Sequence, residues 1–252
     1  LLIFLIKQNS FSQEKPYSEK DLKSGSYFTQ SETRKIEEDD FSNPGMIWVE
    51  RGKDIFNSKD GRKNIACAKC HNLSINPLDD VATKYPKFDK KINNLINLDQ
   101  KINWCREEQM EARSFKIESK SLLSLSSYIS FLSRGKPMNV SIDGESKKYF
   151  LRGKELYFKR IGQMNLACNQ CHDQLSGSLL RSEKISQGHV NGFPSYLMRW
   201  DSIASVHRRF QFCNNQARAE PLEIGHHDYN ALQLYISWRG NSLLIESPSV
   251  RR

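Results

Sequence analysis

The chain has 252 residues, 38% of them hydrophobic, and its 38 Lys and Arg against 29 Asp and Glu give a net charge of +9. That length allows one or two domains, and so modest an apolar content leaves two cores short of material unless a buried apolar group completes them. The basic residues are interleaved with acids and form no stripe with stacking aromatics, which argues against nucleic acid and for an anionic substrate or acidic redox partner.

Residues 1–12 open with Leu-Leu-Ile-Phe-Leu-Ile, which looks like the end of a signal h-region and is too short to span a membrane. Ser10 and Ser12 supply small residues before Gln13, so an exported, periplasmic protein is expected. Residues 13–45 are polar without sustained periodicity and read as an extended N-terminal arm. After the turn signal Asn43-Pro-Gly45, Trp48, Gly52, Ile55 and Phe56 fall at helical spacing. Cys67-Ala-Lys-Cys-His71 follows, the attachment signature of a c-type haem. Asn76-Pro77 and Tyr85-Pro86 mark a covering loop, and Phe88 to Met110 carries helical apolar spacing at Ile92, Leu95, Ile96, Ile102 and Trp104. Leu122, Leu125, Tyr128, Ile129 and Leu132 make one face of a closing helix, which Gly135-Lys-Pro137 stops.

The plan then repeats. Arg152–His172 reproduces Arg51–His71 position by position, down to a second signature, Cys168-Asn-Gln-Cys-His172. In each copy the two thiols form thioethers to the porphyrin and the histidine becomes the proximal iron ligand. A helix near Lys148–Arg160 precedes the second motif, and a Gly/Ser/Pro-punctuated stretch follows to Pro194. Tyr196 to Phe212 reads as helical, and Asp228 to Trp238 as the closing helix. Tyr235-Ile-Ser-Trp238 there echoes Tyr128-Ile-Ser-Phe131. Strand signals are weak. The expected fold is mostly α: two tandem class I cytochrome c-like domains with covalently attached haems, at 46–138 and 148–252, joined by a linker at 139–147. The first helix of each carries Gly and an aromatic because it must cross the last helix closely.

One cysteine per domain remains, Cys105 and Cys213, each where a class I cytochrome c supplies its distal ligand, usually methionine. A thiolate there lowers the haem potential relative to methionine. An interdomain disulfide, a buried inert thiol, or ligation by Met110, Met138 or Met198 are the competing readings. Arg208 and Arg209 precede Cys213. On a helix Arg209 shares the cysteine's face, suited to holding an oxyanion. Of the other histidines, His189, His207, His226 and His227, the last pair looks like a metal site but reads as loop structure or a propionate contact, for want of acidic or cysteine partners.

Gly188-His-Val-Asn-Gly-Phe-Pro-Ser195 and His207-Arg-Arg-Phe-Gln-Phe-Cys213-Asn-Asn-Gln-Ala-Arg218-Ala-Glu-Pro221 resemble the SoxA family, the dihaem subunits of SoxAX cytochromes in the bacterial thiosulfate-oxidising (Sox) system. The resemblance covers nearly all the chain after residue 12. It implies two haem c groups, attached through Cys67 and Cys70 and through Cys168 and Cys171. It implies iron ligation by His71 with Cys105 and by His172 with Cys213, and an active site of Cys213 and Arg209. The activity it implies is that of an L-cysteine S-thiosulfotransferase, joining thiosulfate oxidatively to a cysteine of the SoxYZ carrier. Electrons then leave through SoxX, the monohaem partner of a heterodimer, to a small cytochrome c. The alternative is a dihaem periplasmic electron carrier without a substrate of its own. Arg209 and Cys213 separate the two, because a plain carrier has no need of a thiolate flanked by arginines.

Overall fold

Glycine at matched positions of the two copies decides how each half packs. The computed structural model describes residues 17–252 apart from Asn76, so the signal-like run lies outside the described residues. Helix α1 (Ser31–Glu38) precedes α2 (Met46–Asn57), the single-turn α3 (Cys67–Cys70), α4 (Leu98–Met110) and α5 (Lys120–Leu132). The second half follows with α6 (Ser146–Phe158), α7 (Val206–Gln216) and α8 (His227–Arg239). A Cβ on Gly52 would lie 2.0 Å from the Ser124 carbonyl oxygen, and one on Gly153 2.0 Å from that of Ala231. So α2 crosses α5, and α6 crosses α8, at a separation only glycine permits. The aromatics expected beside them close each crossing: Phe56 packs on Tyr128 and Tyr157 on Tyr235, with centroids 5.4 and 5.3 Å apart.

The first core gathers Val49, Phe56, Leu122, Leu125 and Ile129. The second, around Phe150, Tyr157, Leu232 and Tyr235, also takes in Leu95, Met138 and Val140, so the segment joining the halves is tied down. Asn241 accepts from the Val140 amide and donates to its carbonyl, both at 3.0 Å.

Two stretches read as helical are partly strand. Residues 88–110 divide into a hairpin, β1 (Lys87–Asp89) with β2 (Asn94–Ile96), and then α4. The Asp89 carboxylate accepts from the Lys91 and Ile92 amides and turns the chain, and a capping box between Asn97 and Gln100 starts the helix afresh. A second short hairpin joins β3 (Leu179–Leu180) to β4 (Glu183–Lys184). Residues 196–212 likewise split into β5 (Ser195–Leu197), β6 (Ser202–Ala204) and α7, with Asp201 left-handed between the strands. Strand β5 also pairs in parallel with β7 (Ser249–Arg251), a partner far along the chain. Strands of two or three residues are too short to show periodicity.

The arm is partly helical and lies mainly on the second half, touching the first where Asp40 pairs with Arg134 at 2.5 Å. Its Glu37, 8% exposed, accepts from the Val250 amide at 2.8 Å and pairs with Arg251, and Asn43 donates to the Pro248 carbonyl at 2.9 Å. No helix among the described residues is long and apolar enough to cross a membrane.

A cavity of about 70 Å³ sits between the halves, its mixed lining including the polar side chains of Asp99, Ser126, Ser130, Ser205, His207 and Gln233. That is room for several waters. Burial pushes the His207 imidazole down to about 4, so it is neutral. Its Nδ1 accepts from the Gly225 amide at 3.1 Å and its Nε2 lies 3.0 Å from Gln233 Oε1. Burial first, and the charge of Glu118 second, push the Asp99 carboxyl up to about 7 against an opposing hydrogen bond from Ser126. Unfolded, that carboxyl ionises near 4, so between about pH 4 and 7 the native state holds the proton more tightly. The stability it contributes is present at low pH and lost as pH rises through about 7. Asp99→Asn is expected to raise stability at pH 8 by on the order of 2 kcal/mol and to flatten the dependence of Tm on pH below 7. A Tm profile identical to the parent's would refute this.

Candidate functional site

Each Cys-x-x-Cys-His motif is led in by a tight turn, and that turn places the spare cysteine. Gly61 and Asn64, and their counterparts Gly162 and Asn165, all have positive φ, between 49° and 70°. The amides of Arg62 and Lys63 then donate to the carbonyls of Glu111 and Met110, where α4 ends. In the second copy those of Gln163 and Met164 donate to Arg218 and Ala217, where α7 ends. A Cβ on Gly61 or Gly162 would come within 2.2 or 2.0 Å of a carbonyl oxygen at that helix end. The turn before each motif is thus pinned to the helix that carries the extra cysteine.

Cys105 accordingly lies within electrostatic reach of Cys67 and Cys70, and Cys213 within reach of Cys168 and Cys171. All six cysteines are free, so no disulfide joins Cys105 to Cys213. Burial pushes the Cys168 thiol up to about 12 and raises Cys67, Cys105 and Cys171 as well, whereas Cys213 is exposed. Met110 and Met138 are each only 4% exposed within the packed interior.

The two histidines differ. His172 Nδ1 lies 2.8 Å from the Ser186 carbonyl oxygen, to which it donates, leaving Nε2 for a ligand. Its ring rests against the backbone of Gly188 (φ +77°), where a Cβ would come within 2.8 Å of the ring. Burial, joined by the charges of Arg209 and Arg239, lowers the His172 pKa against the Ser186 hydrogen bond, which keeps the imidazole neutral as metal ligation requires. His71 is also lowered by burial, but its buried Nδ1 has no hydrogen-bond partner among the described residues.

Around Cys213 the basic side chains are stacked. Arg209 lies over Phe212 at 5.0 Å, Arg199 over the same ring at 5.4 Å, and Arg208 over Trp200 at 4.5 Å. The Ser205 hydroxyl caps α7 by accepting from the Arg208 amide at 3.2 Å, so Arg209 and Cys213 share one rigid helix. At the start of α8, His226 and His227 do have an acidic partner: their ligand atoms and that of Asp228 lie within 4.8 Å of one another. Asp228 is, however, held by both Nε and Nη2 of Arg152, at 2.9 and 2.7 Å.

Comparison with known proteins bears on this arrangement directly. The family described as SoxA/TsdA, cytochrome c domain, matches residues 51–138. The L-cysteine S-thiosulfotransferase subunit SoxA of Pseudaminobacter salicylatoxidans is 40% identical over 230 residues, 91% of this chain and 80% of that protein. The subunit of the same name from Paracoccus pantotrophus is 36% identical over 228 residues, 90% and 78% of the two chains. The crystal structure of SoxXA from P. pantotrophus superposes with a TM-score of 0.87 at 35% identity, over 92% of this chain and 87% of that one. The chain belongs to the SoxA family.

A cytochrome c domain binds haem c, and the residues of this SoxA-family chain fit that group. In the second copy, free thiols separated by two residues precede a neutral histidine whose Nδ1 is engaged and whose ring has a glycine floor. Sequence reasoning missed a polar network behind His172. Asp173 accepts from the Tyr157 hydroxyl at 2.9 Å and from Arg239, which is 1% exposed and whose Nε and Nη1 have no hydrogen-bond partner among the described residues. The matching positions in the first copy are Phe56, Asn72 and Leu132. Comparing the two copies with each other is the signal that would have found it: three apolar or neutral residues become polar or charged together, in one half only.

Proposed function

We infer that the chain is the catalytic haem-bearing subunit that joins thiosulfate to a cysteine of a carrier protein, acting in the periplasm. The observation that carries this reading is Cys213, exposed beside the second Cys-x-x-Cys-His motif and one helical turn from Arg209. Names given to the relatives, L-cysteine S-thiosulfotransferase subunit SoxA, support it. On this reading the chain holds two haem c groups. Cys67 and Cys70 anchor one, with His71 and Cys105 as iron ligands; Cys168 and Cys171 anchor the other, with His172 and Cys213. When bound, the haem beside Cys213 supplies an acceptor for electrons.

The protein's own residues do the rest. Arg209, its stem fixed by α7 and its guanidinium over Phe212, holds the sulfonate oxygens of thiosulfate. The Cys213 thiolate and the terminal sulfur of thiosulfate form a sulfur–sulfur bond as two electrons are withdrawn, leaving Cys213–S–S–SO3⁻. The carrier's thiolate attacks the sulfur next to the sulfonate, and the Cys213 thiolate leaves. The net change is one carrier thiol and one thiosulfate converted to the carrier S-thiosulfonate, one proton and two electrons. The electrons pass to the haem of SoxX, the expected partner subunit, and on to a small cytochrome c. The carrier is expected to be SoxYZ.

Arg209→Ala removes a charge-assisted contact of about 1.5–3 kcal/mol, so kcat/KM for thiosulfate is expected to fall roughly 10- to 100-fold. Steady-state turnover with SoxX and the carrier measures it. Unchanged turnover would take Arg209 out of the site.

A further inference from the structure

We propose that the N-terminal arm is a strap that holds His172 in place, with Tyr17 and Gln187 as positioning residues of the second haem site. The proposal rests on the reading of His172 as an iron ligand. The Tyr17 hydroxyl donates to the backbone carbonyl of His172 at 2.6 Å. Six residues on, the Lys23 amide donates to Gln187 Oε1 at 2.7 Å, and Gln187 Nε2 donates back to the Asp21 carbonyl at 2.9 Å. Gln187 is 6% exposed and stands between the two residues that fix the imidazole. Ser186 accepts from its Nδ1, and Gly188 lies against its ring. The arm therefore grips the support of the ring from one side and the histidine's own backbone from the other.

A partner on the second nitrogen sets the orientation and basicity of a metal-bound imidazole, so whatever steadies that partner tunes the metal. Ser186 belongs to an irregular stretch, with Gly188 at φ +77°, that no helix stiffens. The arm is itself fixed at its far end, where Glu37 meets Arg251 and the Val250 amide. His71 in the first half has no counterpart: its buried Nδ1 lacks a partner among the described residues. The strap thus serves one site only, the one beside Cys213, and it reaches that site from the opposite end of the chain.

The test is low-temperature EPR with a redox titration of the haem-loaded complex, comparing the parent with Tyr17→Phe and Gln187→Ala. The expected result is a shift or broadening of one ferric signal, the one altered by Cys213→Ala, with a change in its midpoint potential. It should be larger for Gln187→Ala, which loses the two contacts to Lys23 and Asp21 where Tyr17→Phe loses one, while the other haem's signal serves as an unmoved control. Spectra and potentials that superpose on the parent's in both variants, even with a lowered Tm, would make the arm merely structural and overturn the proposal. A parent complex showing one haem only would overturn it together with the ligation it rests on. Two haem signals that ignore the arm substitutions would overturn it alone.

Discussion

Cys213→Ala is expected to abolish thiosulfate transfer, with turnover down on the order of 10³-fold or more, because in the proposed mechanism the bond to thiosulfate is made at this sulfur. Cys168 and Cys171 are electrostatically coupled to it, but on the proposed reading both are taken up by haem attachment. The polypeptide should tolerate the change. Cys213 is exposed on α7, and surface substitutions away from caps and cores stay within about 0.5 kcal/mol. Cys105→Ala is the matched control, since its thiol is half-buried beside the first motif and on α4 rather than on the helix of Arg209. It should alter the first haem's spectrum and leave most of the turnover intact. The two variants, assayed with SoxX and the carrier and checked for haem content, decide between a thiosulfotransferase and a plain electron carrier. Full turnover in Cys213→Ala would leave the carrier reading standing.

Gly153→Ala is expected to destabilise the second half severely although alanine is the better helix former. Propensity alone favours alanine by about 1 kcal/mol at this interior position of α6. The new methyl, however, would sit 2.0 Å from the Ala231 carbonyl oxygen and 2.9 Å from Tyr235 Cβ, and a backbone oxygen cannot swing aside. Helices α6 and α8 must separate, loosening the contacts of Tyr157 with Tyr235 and of Phe150 with Trp238. Overpacking of this kind costs about 1–3 kcal/mol and more where the backbone must move, so a net loss of about 3 kcal/mol is expected. For a chain of this size that lowers Tm by roughly 6–12 °C. Gly52→Ala, 2.0 Å from the Ser124 carbonyl oxygen, should do the same to the first half. A Tm equal to or above the parent's would show that the crossing has slack that the geometry denies.

What the sequence determined by itself is what covalent chemistry and short-range periodicity encode. The two Cys-x-x-Cys-His motifs, the glycine and aromatic of α2 and α6, the apolar faces of α5 and α8, and the cysteine four residues after Arg209 are all legible because every residue involved lies within a few turns of its partners. The repeat strengthened each reading by showing it twice. The tertiary structure decided what depends on contacts between distant parts of the chain. Residues 195–197 are strand rather than helix because 249–251 pair beside them, and a three-residue strand carries no period of its own. The arm's place on the second half follows from Glu37 meeting Arg251, an encounter no local pattern announces. Burial likewise decided which charges matter. Asp99 is one carboxylate among many in the sequence; desolvation and the neighbouring Glu118 make it a titrating group near neutrality. Asp173, Tyr157 and Arg239 converge behind His172 only because α6 and α8 cross at a glycine, so the chemistry of the site was local in sequence while its surroundings had to be assembled by folding.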